Sequence, residues 1–312
     1  MTIAEFFANC NLNITFDDPF DIDNFQNMFD HFRLDYESTE ETVKECLMNS
    51  YRYETDNELG QETIMKLIKT DNNIEELYHI IEPHLPVVRK RSVHVNGPFG
   101  TVFTGAKFRY INLQVLQTWV DQFHSFEFEN DFTKIFCGFV LYLLYVRIHP
   151  HEDGNGRMSR YLFLENKLLT KHNLCPLSII LEHNLILPNK YMLKIFDILD
   201  NSLDPASAKE EDYYKLHVSG QLLRLICYVI YITICYEYAI FVNPEIKTDV
   251  ERCTDFCSLF CLGKANINIG KSVYDKFKSK RRDRNGLFVN KLNKIFDFNT
   301  HIEILQAFHL PW

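Results

Sequence analysis

The chain has 312 residues, of which 46% are hydrophobic, 14% aromatic and 24% charged. This composition is typical of a soluble globular protein with one large domain, or with one domain and a smaller extension, and it excludes a disordered chain. The formal net charge of −9 argues against non-specific binding to nucleic acid or to an anionic membrane, since both favour a basic surface. The acidity lies in residues 1–60, which carry 14 acidic and 3 basic side chains, a net charge of −11.

The first clear element is a β-hairpin. Residues 92–95 alternate polar and apolar side chains, Asn96-Gly97-Pro98 supplies a turn, and residues 101–104 continue as an extended segment. An isolated two-stranded ribbon is only marginally stable, so we expect this hairpin to lie against other elements. No other segment of the sequence clearly predicts a strand.

The rest of the chain is predicted to be mainly helical. Apolar residues from Phe132 to Leu144 follow the spacing of a helix with a wide apolar face. This helix should end near His149-Pro150, because proline disfavours helical geometry in the residue before it. Three further helices are predicted, over residues 157–169, 190–199 and 221–238.

The segment Leu222–Val242 is apolar and long enough to be considered as a membrane span. Arg224 and Glu237 interrupt it, and its tyrosines lie in the middle rather than at the ends. These features favour a buried helix, so no association with a membrane is predicted.

Nine cysteines are spread along the chain without a CxxC pair. An odd number at such spacings indicates reduced thiols and predicts an intracellular, cytoplasmic protein. Cys253, Cys257 and Cys261 recur at every fourth position, which favours one buried helical face over a zinc site. A basic run at residues 276–284 is interpreted as a solvent-exposed face rather than a nucleic-acid site.

The strongest chemical signal is the segment IHPHEDGNGRMSRYL. Gly154, Asn155 and Gly156 lie where a loop enters the next helix, so their backbone N–H groups and the positive end of the helix dipole can form an anion pocket. Arg157 and Arg160 follow on the first helical turns. Two guanidinium groups beside such a pocket suit an anion with several oxygens, and a polyphosphate is the natural ligand.

Two carboxylates and a histidine precede this pocket. A carboxylate beside bound phosphates is a usual Mg²⁺ ligand, and this points to Asp153, with Glu152 next to it. His149 is the residue of the segment that readily accepts a proton near neutral pH. A base, a metal ligand and a polyphosphate pocket together predict phosphoryl-type transfer to a nucleophile that His149 deprotonates.

The pattern H-x-x-x-D-G-N-G-R-x-x-R, which runs from His149 to Arg160, resembles the signature of the Fic (filamentation induced by cAMP) family. The resemblance implies a Fic-like helical bundle with a small β-hairpin flap, and transfer of AMP from ATP to a Ser, Thr or Tyr hydroxyl of a target protein. It also implies that His149 is the general base and Asp153 the Mg²⁺ ligand. The remaining motif residues would bind the nucleotide phosphates: Gly154, Asn155, Gly156, Arg157 and Arg160.

The hairpin, residues 92–105, falls where the family has its flap, which pairs with an extended segment of the target. Pairing of this kind adds a strand to a sheet edge and fixes the target through its backbone. The resemblance therefore implies that Val102, Phe103 and Thr104 dock the target protein.

The sequence departs from the family pattern at His151, where phenylalanine is usual. We interpret this histidine as a packing substitute whose polar edge must be satisfied, rather than as a second base. Residues 50–55, SYRYET, match most of the family's inhibitory motif. On this interpretation Glu54 pairs with Arg160 and excludes the γ-phosphate, although an ordinary surface glutamate remains an equal alternative.

The predicted organisation has three parts: an acidic helical region at 1–90 with an inhibitory helix around 42–55, a catalytic core at 91–243, and an extension at 244–312. The leading hypothesis is a Mg²⁺-dependent protein adenylyltransferase that uses ATP. The alternatives are removal of AMP, transfer of another nucleotide-derived group, and a catalytically weak module that docks a partner through the flap. Self-modification and a homodimer also stay open.

Overall fold

The computed structural model describes residues 3–17, 66–97, 100–165, 186–204, 206–227 and 229–230. The elements in chain order are α1 (Ile3–Asn9), β1 (Asn13–Phe16), α2 (Ile74–Ile81), β2 (His94–Gly97), β3 (Gly100–Thr104), α3 (Leu113–Ser125), α4 (Asp131–Ile148), α5 (Asn155–Arg160), α6 (Ile186–Asn201) and β4 (Lys215–Val218). Two 3₁₀ turns, Phe108–Tyr110 and Glu210–Tyr214, and a π-helical turn, Tyr161–Glu165, are also present. It is mainly helical, which confirms the predicted fold class.

Helix α4 forms the centre of the core. Asn130 caps its first turn, where its side-chain oxygen accepts a hydrogen bond from the Thr133 N–H at 2.8 Å. From Phe132 to Ile148 every side chain except Lys134 is buried, so the helix is surrounded rather than packed along one face. The helix ends at Ile148, next to the predicted end at His149-Pro150.

Helices α2 and α3 pack on this core with the spacing of amphipathic helices. Asn112 caps α3 by accepting from two backbone N–H groups of the first turn. The buried residues of α3 recur at three- and four-residue intervals, as expected for one apolar face; they are Leu116, Trp119, Val120 and Phe123. Those of α2 follow the same rule; they are Ile74, Leu77, Tyr78 and Ile81.

Gly138 marks the closest approach of α4 to its neighbours. A Cβ atom at this position would lie 2.5 Å from the carbonyl oxygen of Phe163 and 2.7 Å from the ring of Phe123. Contacts this short are not tolerated in packed proteins, so only glycine fits here. The π-helical turn and α3 therefore meet α4 at a point where α4 has no side chain.

The predicted hairpin is confirmed. Strands β2 and β3 pair antiparallel, with His94 opposite Thr104 and a register shift between Val95 and Asn96. A second ribbon was not expected: β1 and β4 pair in parallel, with Asn13 opposite Lys215. The prediction that strands are confined to the hairpin is therefore wrong. Strands of four residues show little sequence pattern, and the partners of this pair lie about 200 residues apart in the chain.

The remaining helix predictions have different outcomes. The segment 190–199 lies within α6, and the described part of 157–169 forms α5 and the π-helical turn. Within 221–238, residues 221–227 and 229–230 are helical, and Leu222, Leu223 and Ile226 are buried. Among the described residues, no helix combines the length and apolar character needed to cross a membrane.

Several predictions fall outside the described residues. These are Glu54 and the helix around 42–55, the boundary at 243–244, the cysteines at 253, 257 and 261, and the basic run at 276–284. The division into three parts stays a prediction. In the described ranges, Cys10, Cys137 and Cys227 are buried and form no disulfide.

Candidate active site

His149 occupies a left-handed turn at the end of α4, with φ of 55° and ψ of 62°. This conformation is uncommon for a residue with a side chain and must be held by its surroundings. The His149 N–H donates to the Tyr145 carbonyl at 3.0 Å, and the His149 carbonyl accepts from Arg89 Nε at 2.5 Å. Hydrogen bonds therefore fix the backbone of His149 at both its N–H and its carbonyl group.

The hydrogen bonding of His149 assigns its tautomer. Nδ1 lies 3.2 Å from the carbonyl oxygen of Val146. A carbonyl oxygen only accepts, so Nδ1 carries the proton in the neutral ring and Nε2 is the nitrogen that can take a proton. Burial lowers the pKa of His149 to about 4, and the charge of Arg89 adds to this effect. The imidazole is therefore neutral at pH 7, as a general base must be.

The loop after His149 is closed by the side chain of Asn155. Its Oδ1 accepts from the His151 N–H at 2.9 Å, and its Nδ2 donates to the His151 carbonyl at 2.9 Å. Asn155 is buried, so these bonds are shielded from water. The amide side chain of Asn155 thus holds the loop in place.

His151 fills the core below this loop. Its ring stacks on Tyr78 with centroids 4.0 Å apart, Nε2 lies 2.6 Å from the Tyr145 hydroxyl, and Nδ1 bonds to the Val87 carbonyl. Burial lowers the pKa of His151 to about 4. Both ring nitrogens are engaged, as the predicted packing role requires, and the polar edge that histidine introduces is satisfied.

Gly154 turns the chain into α5. Its φ of 74° lies in the left-handed region, which favours glycine. The carboxylate of Asp153 accepts from the Gly154 N–H at 2.7 Å, and the Gly154 carbonyl begins the helical bonding by accepting from Met158 at 2.9 Å. A glycine-containing loop therefore leads into a helix, as predicted, and the chain turns at Gly154.

Asp153 is the acidic side chain that the site presents to solvent. Its side chain is 72% exposed, and its Oδ2 lies 3.6 Å from the Arg157 guanidinium. Among the described residues, no cluster of three or more His, Cys, Asp or Glu side chains could hold a metal ion unaided. A cation bound by Asp153 would therefore need further oxygens from water or from a nucleotide.

The two motif arginines are both buried, with Arg157 4% exposed and Arg160 3% exposed. Arg157 makes a salt bridge that the sequence did not predict, because its guanidinium nitrogen lies 2.5 Å from Glu82 Oε1. Glu82 follows the last residue of α2 and also lies against the glycine turn, with its Cγ 3.3 Å from the place of a Cβ on Gly154. The positive charge of Arg157, which is predicted to bind phosphate, is thus already paired with the Glu82 carboxylate.

Two further residues of the site could not be found from sequence patterns. Arg89 contacts His149 across 60 positions of the chain, and Glu82 contacts Arg157 across 75. Neither belongs to a motif, so no local signal marks them. Of the predicted flap residues, Thr104 bonds through its hydroxyl to His94 Nδ1 at 3.1 Å. Val102 and Phe103 lie in β3, but their side chains are outside the described part, as is Glu54.

No protein-family model matches the chain, and no curated protein matches it. A solved structure that is similar is a Fic domain-containing signaling protein from Bacteroides thetaiotaomicron. The two chains are 18% identical over 76% of this chain and 94% of the other, with a TM-score of 0.36.

Proposed function

We propose that this protein is an adenylyltransferase that moves AMP from ATP to a hydroxyl group of a protein side chain. The observation that carries the proposal is the state of His149. Its Nδ1–H donates to the Val146 carbonyl, its pKa lies near 4, and Nε2 is left as the basic nitrogen at neutral pH. A neutral imidazole held in this way is suited to accept a proton from a hydroxyl nucleophile.

In the proposed reaction one P–O bond is made and one is broken at the α-phosphorus, and one proton moves from the hydroxyl group to the base. The hydroxyl oxygen of the target attacks the α-phosphorus of ATP, His149 Nε2 takes the hydroxyl proton, and pyrophosphate leaves with the electrons of the broken P–O bond. The backbone N–H groups of Asn155 and Gly156 lie at the start of α5, where negative charge on the phosphates is favoured. The protein's contribution is to position the base and to stabilise charge.

The acidic residue present fits the Mg²⁺ that accompanies ATP. Mg²⁺ keeps several waters and binds through one or two carboxylates together with phosphate oxygens, and Asp153 offers one exposed carboxylate beside the turn. When bound, the ion would neutralise charge on the phosphates. Asp153 is itself oriented by the Gly154 N–H, which accounts for one of its two oxygens.

Glu82 bears on the proposed role of Arg157. A phosphate that approached Arg157 would meet a guanidinium already bonded to Glu82 at 2.5 Å, so it would either share that guanidinium or displace the carboxylate. The Glu82 side chain is 20% exposed, which leaves it room to move toward solvent. Glu82 therefore sets how much of the Arg157 charge is available to an anion.

The substitution Glu82→Gln should lower the free energy of unfolding by about 2 kcal/mol. Loss of one partner of a fully buried pair costs roughly 3–5 kcal/mol. The smaller value is expected because Glu82 is partly exposed and Asp153 still lies 3.6 Å from Arg157. Added pyrophosphate should then raise the melting temperature of the variant more than that of the wild type, because the released guanidinium binds it. Urea unfolding and thermal melts measure the two effects.

Glu75→Gln is the matched control for this substitution. Glu75 is exposed in the first turn of α2, so its replacement should change stability by no more than about 0.5 kcal/mol and leave the effect of pyrophosphate unchanged. Equal pyrophosphate shifts in the wild type and in Glu82→Gln would show that Glu82 does not limit the binding of the anion.

The test of the proposed function uses ATP labelled in either the α- or the γ-phosphate. The purified full chain is incubated with each nucleotide, with Mg²⁺ and with proteins of a cell extract. Protein-bound label is expected from the α-position and not from the γ-position, and EDTA should abolish it. Label from the γ-position, or no label in either case, would contradict the proposal. Parallel reactions with GTP, CTP and UTP identify the preferred donor.

Asp153→Asn should reduce the labelling by a factor of about 10 to 100, because a neutral amide is a weaker ligand for Mg²⁺. Raising the Mg²⁺ concentration should recover part of the loss. Glu152→Gln is the matched control: this neighbouring carboxylate lies 3.4 Å from the exposed Arg91 and is expected to be dispensable. An identical loss in both variants, insensitive to Mg²⁺, would remove Asp153 from the metal site.

A further inference from the structure

Arg89 is a buried arginine with an unusual set of partners. It is 1% exposed, and its guanidinium donates to four backbone carbonyls. The Nε–H donates to the His149 carbonyl at 2.5 Å, and one terminal nitrogen donates to the Arg91 carbonyl at 2.5 Å. The other terminal nitrogen donates to the carbonyls of Ala106 and, at 3.3 Å, Ile148. One side chain thus joins three separate segments of the chain.

These carbonyls belong to two functional parts of the molecule. Ile148 and His149 end α4, where carbonyl oxygens lack helical partners and carry the negative end of the helix dipole. A cation at this end is favourable and satisfies those oxygens. Arg91 precedes β2 and Ala106 follows β3, so the other two carbonyls form the base of the hairpin. Arg89 therefore ties the hairpin base to the turn that holds His149.

Backbone hydrogen bonds join the same segments. The Ala106 N–H donates to the Ile148 carbonyl at 3.2 Å, and the Arg89 N–H donates to the Pro150 carbonyl at 3.0 Å. The packing beside them is close, because a Cβ atom on Gly105 would lie 3.0 Å from the His149 Cβ and 3.2 Å from the Arg89 guanidinium. The hairpin base and the His149 turn therefore pack as one unit with no spare space.

We propose that Arg89 is a positioning residue that holds His149 in register with the base of the hairpin, so that a target strand docked on the hairpin presents its hydroxyl at a fixed distance from the base. This inference rests on the proposed function and adds to it a residue outside the motif. Arg89 acts through backbone carbonyls and does not itself contact the nucleotide or the target. Five donors in a rigid planar fork suit such a role, which a single ammonium reproduces only in part and an apolar side chain does not reproduce at all.

The consequence for catalysis is a specific loss of rate. Misplacement of a reacting group by about 1 Å can cost on the order of 100-fold in rate. In Arg89→Met we therefore expect kcat for AMP transfer to fall about 10- to 100-fold. The Kd for ATP should stay within about twofold of wild type, since Arg89 makes no contact with the glycine turn or the motif arginines in the hydrogen bonds described above. Arg89→Lys should recover part of the rate.

The matched control is Arg91→Met. The Arg91 side chain is 81% exposed, and its bond to Arg89 uses the backbone carbonyl, which the substitution leaves in place. Arg91→Met should therefore transfer AMP at the wild-type rate. A folded Arg89→Met variant with kcat within twofold of wild type would overturn the proposal, as would a parallel loss of kcat and ATP affinity in Arg89→Lys.

Amide hydrogen exchange supplies a readout that needs no activity. The Ala106 N–H bonds to Ile148, so its exchange should become at least tenfold faster in Arg89→Lys and stay unchanged in Arg91→Met. Unchanged exchange of the Ala106 N–H in Arg89→Lys would show that Arg89 does not hold the hairpin base to the His149 turn, even if Arg89→Met failed to fold. If the wild type transferred no AMP but exchange accelerated as expected, the proposed function would fail while the link between the hairpin and His149 would stand.

Discussion

Replacement of His149 by alanine should reduce AMP transfer by a factor of about 10² to 10⁴, the range in which a positioned general base contributes. The structure assigns the proton of the neutral ring to Nδ1 through the Val146 carbonyl, and this leaves Nε2 to take the hydroxyl proton. Alanine removes that acceptor, while the turn is still held by the backbone bonds to Tyr145 and Arg89. Initial rates with α-labelled ATP measure the loss.

Two controls make this result specific. His84→Ala changes an exposed histidine in the segment after α2 and should leave the rate unchanged. The affinity for ATP should be similar in wild type and His149→Ala, because the base acts on the target hydroxyl rather than on the phosphates. If His149→Ala kept more than about one tenth of the wild-type rate, another group would have to be the base.

The same geometry predicts the pH dependence of the wild type. The pKa of His149 is lowered from 6.5 to about 4, chiefly by burial. The neutral form is the active base, so transfer is lost as the pH falls through the pKa of the folded protein. The acid limb of kcat/KM should therefore lie near pH 4, and the rate at pH 5.5 should be close to that at pH 7. An acid limb near pH 6.5 would contradict this assignment.

Gly138→Ala should destabilise the fold. The added methyl group would lie 2.5 Å from the Phe163 carbonyl oxygen and 2.7 Å from the Phe123 ring, and both neighbours are buried. Overpacking of a core costs about 1–3 kcal/mol and occasionally more, and alanine returns only about 1 kcal/mol through its better helix propensity. We expect a net loss of about 2 kcal/mol or more in the free energy of unfolding, measured in urea.

Gly220→Ala is the control for this prediction. Gly220 is also helical, but the nearest atom to an added Cβ is a guanidinium nitrogen of Arg224 at 3.6 Å, an ordinary contact with a flexible side chain. The free energy of unfolding of Gly220→Ala should stay within about 0.5 kcal/mol of that of the wild type. Equal stability of the two variants would mean that the α4 contact can relax, and that the packing at Gly138 is looser than the distances indicate.

The sequence predicted those features that depend on local patterns. The apolar run from Phe132 gave α4, because a helix surrounded by the core needs little more than length and hydrophobicity. The turn Asn96-Gly97 gave the hairpin, since few dipeptides specify a turn so strongly. The motif from His149 to Arg160 gave the candidate site, because its residues are close in the chain as well as in space.

Features that depend on tertiary contacts were missed. Arg89 and Glu82 reach the site from distant positions, and an arginine or a glutamate outside a motif usually lies on the surface. His151 illustrates an intermediate case. A packing role was predicted from its position, but the partners that satisfy its nitrogens, Tyr145 and Val87, could be identified only from the folded chain.

The parallel ribbon of β1 and β4 has a consequence for synthesis of the protein. Asn13 pairs with Lys215, so β1 leaves the ribosome about 200 residues before its partner exists. At translation rates of 5–20 residues per second, the strand waits roughly 10–40 seconds with its hydrogen-bonding groups unpaired. Any interaction that β1 makes in that interval, with a chaperone or with another nascent chain, competes directly with completion of the fold.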